Sequence, residues 1–228
     1  TADSSAQFTL PDDWIAKTDE YIIQTSSLAA VELTRQIDFL LKYPYGCAEQ
    51  TTSRLFPLLY FSDLVRFARP DLIGTRGADY FIQEGILKLV AMMRPDGMFQ
   101  SWPSGSQVHY WTTVYASHFL LEADKAGFAV DNSILNTITD NLRQIAEGKR
   151  EEADIPSRVY AAYALGRAGK LERRTVNYIR TLNAENMTAH SRFLVAGVLA
   201  AAGDSAAARQ LLPAEIQPAI FDPIVGGH

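Results

Sequence analysis

Cysteine is almost missing from this chain of 228 residues: there is one, Cys47. A single cysteine closes no intrachain disulfide, so it leaves the redox compartment undetermined. An excess of basic charge is missing too. Lys and Arg number 21 against 26 Asp and Glu, a net charge of −5. With no basic stripe, nucleic acid and anionic membrane are disfavoured as partners. No apolar run is long enough to span a bilayer, so direct membrane insertion is not expected. Alternating apolar–polar runs between turn residues are scarce, which leaves little signal for strands. The opening Thr1-Ala2-Asp3-Ser4-Ser5 is polar and lacks the charged and apolar regions of a signal peptide. That fits either a cytosolic protein or a domain cut from the middle of a longer secreted chain. The proline-punctuated end, Pro223-Ile224-Val225-Gly226-Gly227-His228, favours the excised domain.

What is present suits a helical globule. Hydrophobic residues make up 47%, aromatic residues 11% and charged residues 21%, enough for a sizeable core in one helix-rich domain. Residues 1–25 read as a lead-in or inter-domain segment and 213–228 as an extended tail or linker. Between them, 26–212 reads as one domain. From Ser26 the apolar residues Leu33, Ile37, Leu40 and Leu41 recur at helical spacing. Tyr43-Pro44 ends that helix, because the residue before proline is pushed out of the α region. Further helices are expected over 47–68, 76–93, 110–126, 132–147, 155–169, 172–183, 188–202 and 204–212. Gly127 is a candidate C-cap and Asp131 a candidate N-cap. Pro57 removes a backbone donor inside the second helix and should kink or divide it. Eight or nine helices with short connections make an all-α domain of stacked antiparallel hairpins. Alanine-rich stretches at 159–168 and 195–208 let helices approach closely, as the inner layer of a closed α/α toroid requires.

The lone cysteine sits in Gly46-Cys47-Ala48-Glu49-Gln50, three residues ahead of a glutamine. That spacing puts the thiol and the side-chain amide on one face of a first helical turn. A thiolate attacking the Gln50 carbonyl and expelling ammonia would leave an internal thioester, a stored acyl electrophile. A helix N-terminus stabilises a thiolate, which helps both closure of that bond and release of the thiol as leaving group. The ordinary alternative is a buried core cysteine. Glu49 reads as a structural residue near the helix start. His109 and His118, nine apart, would not share a helical face, and His190 and His228 are isolated, so no metal site is expected. His109 would make a cysteine–histidine pair if the fold brought it beside Cys47. The turn through Asp96, Gly97, Phe99 and Trp102 should plug a helix end with its aromatics.

These motifs carry a resemblance. The stretch Tyr43-Pro44-Tyr45-Gly46-Cys47-Ala48-Glu49-Gln50-Thr51-Thr52-Ser53-Arg54-Leu55-Phe56-Pro57 resembles the thioester segment of bacterial alpha-macroglobulins, relatives of the complement thioester proteins. Arg94-Pro95-Asp96-Gly97-Met98-Phe99-Gln100-Ser101-Trp102 looks like a later loop of that family. Tyr110-Trp111-Thr112-Thr113-Val114-Tyr115 resembles the start of the helix that follows it, and Tyr160-Ala161-Ala162-Tyr163-Ala164-Leu165-Gly166 a later helix. The matches run in order from about 28 to 205.

The resemblance implies an α/α toroid within a large multidomain secreted or periplasmic chain, and a thioester cross-link between Cys47 and Gln50. It implies Tyr43, with Tyr45, as a shield of the bond from water, with Gly46 and Glu49 in support. It also implies single-use covalent capture of proteases through a lysine amine, not catalytic turnover. Other domains of the same chain would be its further partners. No cofactor is expected beyond the thioester itself. Complement relatives use a later histidine to favour hydroxyl targets. No histidine stands between Ala129 and Ala189, so direct attack by amines is expected. Family toroids continue through further helices, so the expectation is a toroid incomplete at its C-terminus or closed differently. Two other functions stay open: an α/α-toroid enzyme acting on a glycan or isoprenoid, and a binding scaffold whose thioester has been lost.

Overall fold

The computed structural model describes residues 46–68, 76–183 and 187–213. The expected lead-in, the helix expected from Ser26, both Tyr43 and Tyr45, and the tail from 214 onward lie outside these residues. Among the described residues nine helices follow one another. They are α1 (Ala48–Tyr60), α2 (Ser62–Ala68), α3 (Gly77–Ala91), α4 (Tyr110–Lys125), α5 (Asn132–Ala146), α6 (Ile155–Arg167), α7 (Arg173–Thr181), α8 (Ala189–Ala201) and α9 (Ser205–Leu211). The only β pairing among them is two isolated antiparallel bridges, Met93 with Phe99 and Gln100 with Val108.

Their starts and stops follow from local chemistry. Asp131, Asp154, Thr188 and Asp204 each accept a backbone N–H of the first turn of α5, α6, α8 and α9. Such caps contribute about 1 kcal/mol each. Gly127 follows α4 with φ +93°, the left-handed conformation that closes a helix without a Cβ clash. Pro57 stays within α1, and the chain breaks four residues later. Phe61, with φ −130°, separates α1 from α2, and its N–H is taken by the Pro57 carbonyl. The division expected at 57 is not found there: the helix runs through the proline and breaks at Phe61.

The helices form two rows. α1 packs on α4, α4 on α6 and α6 on α8, giving a continuous inner row. Behind it lie α3 against α1, α5 against α4 and α6, α7 against α5 and α6, and α9 against α8. Alternation of inner and outer helices is the α/α-toroid arrangement. Sequence pattern divides the rows in the same way. α5 buries Leu135, Ile138, Leu142 and Ile145 along one stripe, as an outer helix with one wet face must. α4 buries residues on most of its surface, Thr113, Val114, Phe119, Leu120 and Ala123 among them. The alanine-rich stretches fall mainly on α6 and α8, which meet where Gly197 faces the Tyr163 ring and Gly166 faces Ala201.

The loop between α3 and α4 is a structured turn, but only half of it plugs the fold. Phe99 is wholly buried and its N–H bonds Thr113 Oγ1 at 3.1 Å. Gly97 has φ +79° and lies so close to Asn141 and the Thr137 carbonyl that no Cβ fits. Trp102, expected to plug a helix end, is instead 47% exposed. It follows Ser101, whose carbonyl bonds the Ala48 N–H at the start of α1.

Gly85, buried in α3, faces the Leu55 side chain of α1, and a methyl added there would overlap that isobutyl group. Alanine gains up to about 1 kcal/mol of helix propensity but overpacks this contact. Gly85→Ala is expected to destabilise by roughly 1–2 kcal/mol net. Combining it with Leu55→Ala should cost less than the two single changes added together, a coupling that urea melts of the four proteins measure.

Candidate functional site

The first turn of α1 carries the chemistry. Cys47 is the N-cap residue, in extended backbone conformation with φ −69° and ψ 161°. Its Sγ accepts the Gln50 N–H at 3.4 Å, and its carbonyl accepts the Thr51 N–H at 2.9 Å. Gln50 is therefore the N3 residue of the helix. A cap residue bonding the N3 amide, with a Gln side chain at N3 able to reach back, is the layout of a capping box. Here a thiol stands where serine or threonine is usual. The reciprocal half is unmade: Gln50 Oε1 is buried and has no hydrogen-bond partner.

Neighbouring groups hold this turn in place. Ala48 is fully buried, and its N–H bonds the Ser101 carbonyl at 3.0 Å. Ser101 N–H in turn bonds the Gln107 carbonyl at 2.9 Å. Thr52, also buried, gives its hydroxyl to the Ala48 carbonyl at 2.7 Å. Cys47 itself is half-buried, a thiol at the edge of the fold and not a core residue. Glu49 is exposed in the first turn, and its charge reaches Tyr115 of α4. Burial pushes the Tyr115 phenol up, a bond to Ser53 opposes that, and Glu49 adds to it. Gly46 is exposed, and a Cβ there would meet nothing within 4 Å, so no close packing among the described residues requires a glycine.

The candidate histidine is placed differently. His109 is the exposed N-cap of α4 and makes no side-chain cap bond. No described hydrogen bond or ring contact joins it to Cys47. The buried histidine is His118, and it belongs to a group absent from the sequence reading. Glu122, 6% exposed, accepts Tyr60 Oη at 2.6 Å and both Nε and Nη2 of Arg167 at 3.3 Å. His118 Nε2 stands 3.8 Å from Glu122 Oε1, and its Nδ1 pairs with Tyr160 Oη at 3.0 Å. Phe56, Tyr115, Phe119 and Tyr163 pack around these groups. The network thus ties the end of α1 to α4 and α6. Its signal in the sequence is Glu122 four residues after His118, a polar i,i+4 pair inside the apolar run Phe119-Leu120-Leu121.

Comparison with known proteins decides what this fold is. The family model described as the A-macroglobulin TED domain matches residues 19–156, more than half of the chain. The chain belongs to the A-macroglobulin TED domain family. Among curated relatives, the alpha-2-macroglobulin of Escherichia coli strain K12 is 33% identical over 117 residues, 49% of this chain and 7% of that protein. That of Xylella fastidiosa strain Temecula1 is 32% identical over 127 residues, 54% of this chain and 8% of that protein. The solved native conformation of the E. coli protein superposes with a TM-score of 0.69 at 26% identity, covering 79% of this chain and 12% of that one. The Salmonella protein, solved after reaction with methylamine, superposes at 0.68 and 26%, covering 78% and 12%. This TED domain therefore spans about a tenth of the length of the proteins it matches. The family match encloses Cys47, Gln50, Ser101 and Glu122 and ends before Arg167. The bacterial relatives and the all-helical superposition agree with the family and the fold expected from the motifs.

The charges around His118 set a pH dependence. Burial holds His118 down, from 6.5 to about 4, against the pull of Glu122 and with the help of Arg167. Burial pushes Glu122 up, but the bonds from Tyr60 and Arg167 outweigh it and leave it below its ordinary value. Both groups have a folded pKa lower than the unfolded one. The contribution of His118 is full above pH 6.5 and drains as pH falls toward 4, and that of Glu122 is full above 4.5 and is lost below it, because acid protonates the unfolded chain more readily than the folded one. Unfolding free energy is expected to fall between pH 6.5 and 4. His118→Gln should flatten that slope while leaving the steeper loss at lower pH, as urea titrations across the range would read.

Proposed function

We propose that this TED domain holds an internal thioester between Cys47 Sγ and the Gln50 acyl carbon, and works as the covalent-capture domain of a longer alpha-macroglobulin chain. The observation that carries the reading is the thiol-for-hydroxyl capping box. It holds Sγ 3.4 Å from the Gln50 N–H, on the residue whose amide would be attacked. Attack by the thiolate on Gln50 Cδ forms the acyl–sulfur bond and breaks the C–N bond, and the leaving nitrogen takes up the proton the thiol gave up and departs as ammonia. An amine then attacks the same carbon, forms an amide and releases the Cys47 thiol. One event consumes the site, so the domain acts once and does not turn over.

The comparisons support this reading: relatives carry the name alpha-2-macroglobulin, and the Salmonella protein was solved after reaction with methylamine. We infer capture of a protease through its surface lysines as the biological use, with other domains of the same chain controlling exposure. Tyr43 and Tyr45 would keep water off the bond, as a stored acyl group requires. Periplasmic, cell-surface or secreted placement follows from the same reading. A hydrolytic or isoprenoid-cyclising toroid would want a free acid in its interior. The buried carboxylates among the described residues are Glu122 and Glu147. Arg167 pairs with the first, and Lys149 and Arg174 with the second.

Freshly made full-length chain should weigh one ammonia less than its sequence, and methylamine should add once with release of one thiol. Cys47→Ala should show neither change. Full sequence mass together with no methylamine uptake by the native chain would overturn the reading.

A further inference from the structure

We propose that Ser101 Oγ is the hydrogen-bond donor to the acyl oxygen of the Gln50 thioester. This inference rests on the thioester reading above. Acyl transfer places negative charge on the carbonyl oxygen in the transition state, and a fixed donor aimed at that oxygen lowers the barrier. Gln50 Oε1 is the atom that becomes this oxygen. It is buried and has no partner.

Ser101 Oγ is also buried and without a partner. A hydroxyl always carries a proton to give, and a carbonyl oxygen can only accept. Two orphaned groups of opposite kind therefore stand on two pieces of chain tied together by one backbone bond, Ala48 N–H to the Ser101 carbonyl at 3.0 Å. That bond falls between Cys47 and Gln50, the residues to be joined. The loop that brings Ser101 there is itself fixed. Ser101 N–H bonds the Gln107 carbonyl, Gly105 N–H bonds the Trp102 carbonyl, and Gln100 bridges Val108.

Four other donors beside the acyl group are already engaged. The N–H groups of Ala48, Gln50 and Thr51 go to the Ser101 carbonyl, Cys47 Sγ and the Cys47 carbonyl, and Thr52 Oγ1 goes to the Ala48 carbonyl. Closing the acyl–sulfur bond draws Gln50 Cδ toward Cys47, back over the start of the helix where Ser101 is bonded. In aminolysis the amine nitrogen attacks Cδ and the carbonyl pair moves onto Oε1, where Ser101 O–H bonds it. Collapse restores the carbonyl, expels Cys47 Sγ as thiolate, and the proton lost by the amine passes to the thiolate or to solvent. Ser101 keeps its proton throughout.

The test uses the full-length chain as wild type, Ser101→Ala, Ser101→Thr and Cys47→Ala. It reads intact mass, the rate of thiol release by methylamine, melting temperature and the infrared stretch of the thioester carbonyl. Ser101→Ala is expected to hold the thioester at unchanged melting temperature, to react on the order of 100-fold more slowly, and to show a higher carbonyl frequency. Ser101→Thr should restore both. A Ser101→Ala chain that stays folded but never closes the thioester also supports the proposal, because closure passes through the same oxyanion. If Ser101→Ala does not fold, the wild-type carbonyl stretch in light and heavy water decides: a shift supports the bond and its absence overturns it. Wild-type rate and frequency in Ser101→Ala would overturn this proposal alone. Full sequence mass in the native wild-type chain would overturn it together with the thioester reading.

Discussion

The hydrogen bond from Ala48 N–H to the Ser101 carbonyl is the constraint on which the site depends. A helix start has N–H groups without partners inside the helix, and something must satisfy them. In α1 the loop between α3 and α4 satisfies that of Ala48, and Cys47 Sγ that of Gln50. The first turn is thus fastened from outside as well as from within. Fastening it keeps Cys47 at the fold's edge while Ala48, one residue on, is fully buried. A reactive pair needs this combination. The thiol must be reachable, and the backbone that aims it must not fray as unsupported helix ends do.

The loop earns its rigidity from residues far from the thiol. Gly97 approaches α5 so closely that the Asn141 amide bonds its carbonyl at 3.0 Å. Phe99 is buried and tied to Thr113 of α4. Position 101 is therefore set by the packing of α4 and α5, and α1 inherits its placement through Ala48. At the other end of α1, Tyr60 bonds Glu122, which Arg167 of α6 neutralises. A buried carboxylate without such partners would be costly, so the pairing specifies how α1, α4 and α6 are set against one another more than it adds stability. One helix is pinned at its start by backbone and at its end by charge.

Much of this was legible in the sequence, for identifiable reasons. Helix succession could be read because Gly127, Asp131, Gly169 and Gly203 mark breaks with strong local chemistry. The inner pairing of α6 with α8 could be read because alanine and glycine permit close approach. The placement of Cys47 and Gln50 on one first helical turn could be read because their i,i+3 spacing has one local geometry. What failed was tertiary. Trp102 looked like a plug because it is large and aromatic, but the loop has already left the interior after Phe99 and leaves it exposed. His109 stayed open as a partner of Cys47, whereas the buried histidine is His118. The Tyr60–Glu122–Arg167 bonds join residues 62 and 45 positions apart, and no local pattern announces a partner at that distance. Only Glu122 within an apolar run hinted that a charge would be buried and need company.

The capping-box layout also explains why a cysteine three residues before a glutamine suits acyl chemistry and not merely proximity. In an ordinary box the N-cap hydroxyl and the N3 side chain each bond the other's backbone, and the two side chains pass one another. Replacing the hydroxyl with sulfur keeps the N-cap acceptor, as the 3.4 Å contact to Gln50 N–H shows. It also installs a far better nucleophile in the thiolate form. In the proposed thioester, the Gln50 amide, with its backbone partner unmade, would be the electrophile beside it. The same N–H that bonds Sγ before attack remains to bond the thiolate that leaves afterwards, so the helix start favours sulfur carrying charge at both ends of the reaction. On the proposed chemistry, one turn of helix would supply the nucleophile, its orientation and the stabilisation of its leaving form. A donor for the carbonyl oxygen is the component that the loop holding the turn is placed to provide, since Ser101 is bonded to the turn at Ala48.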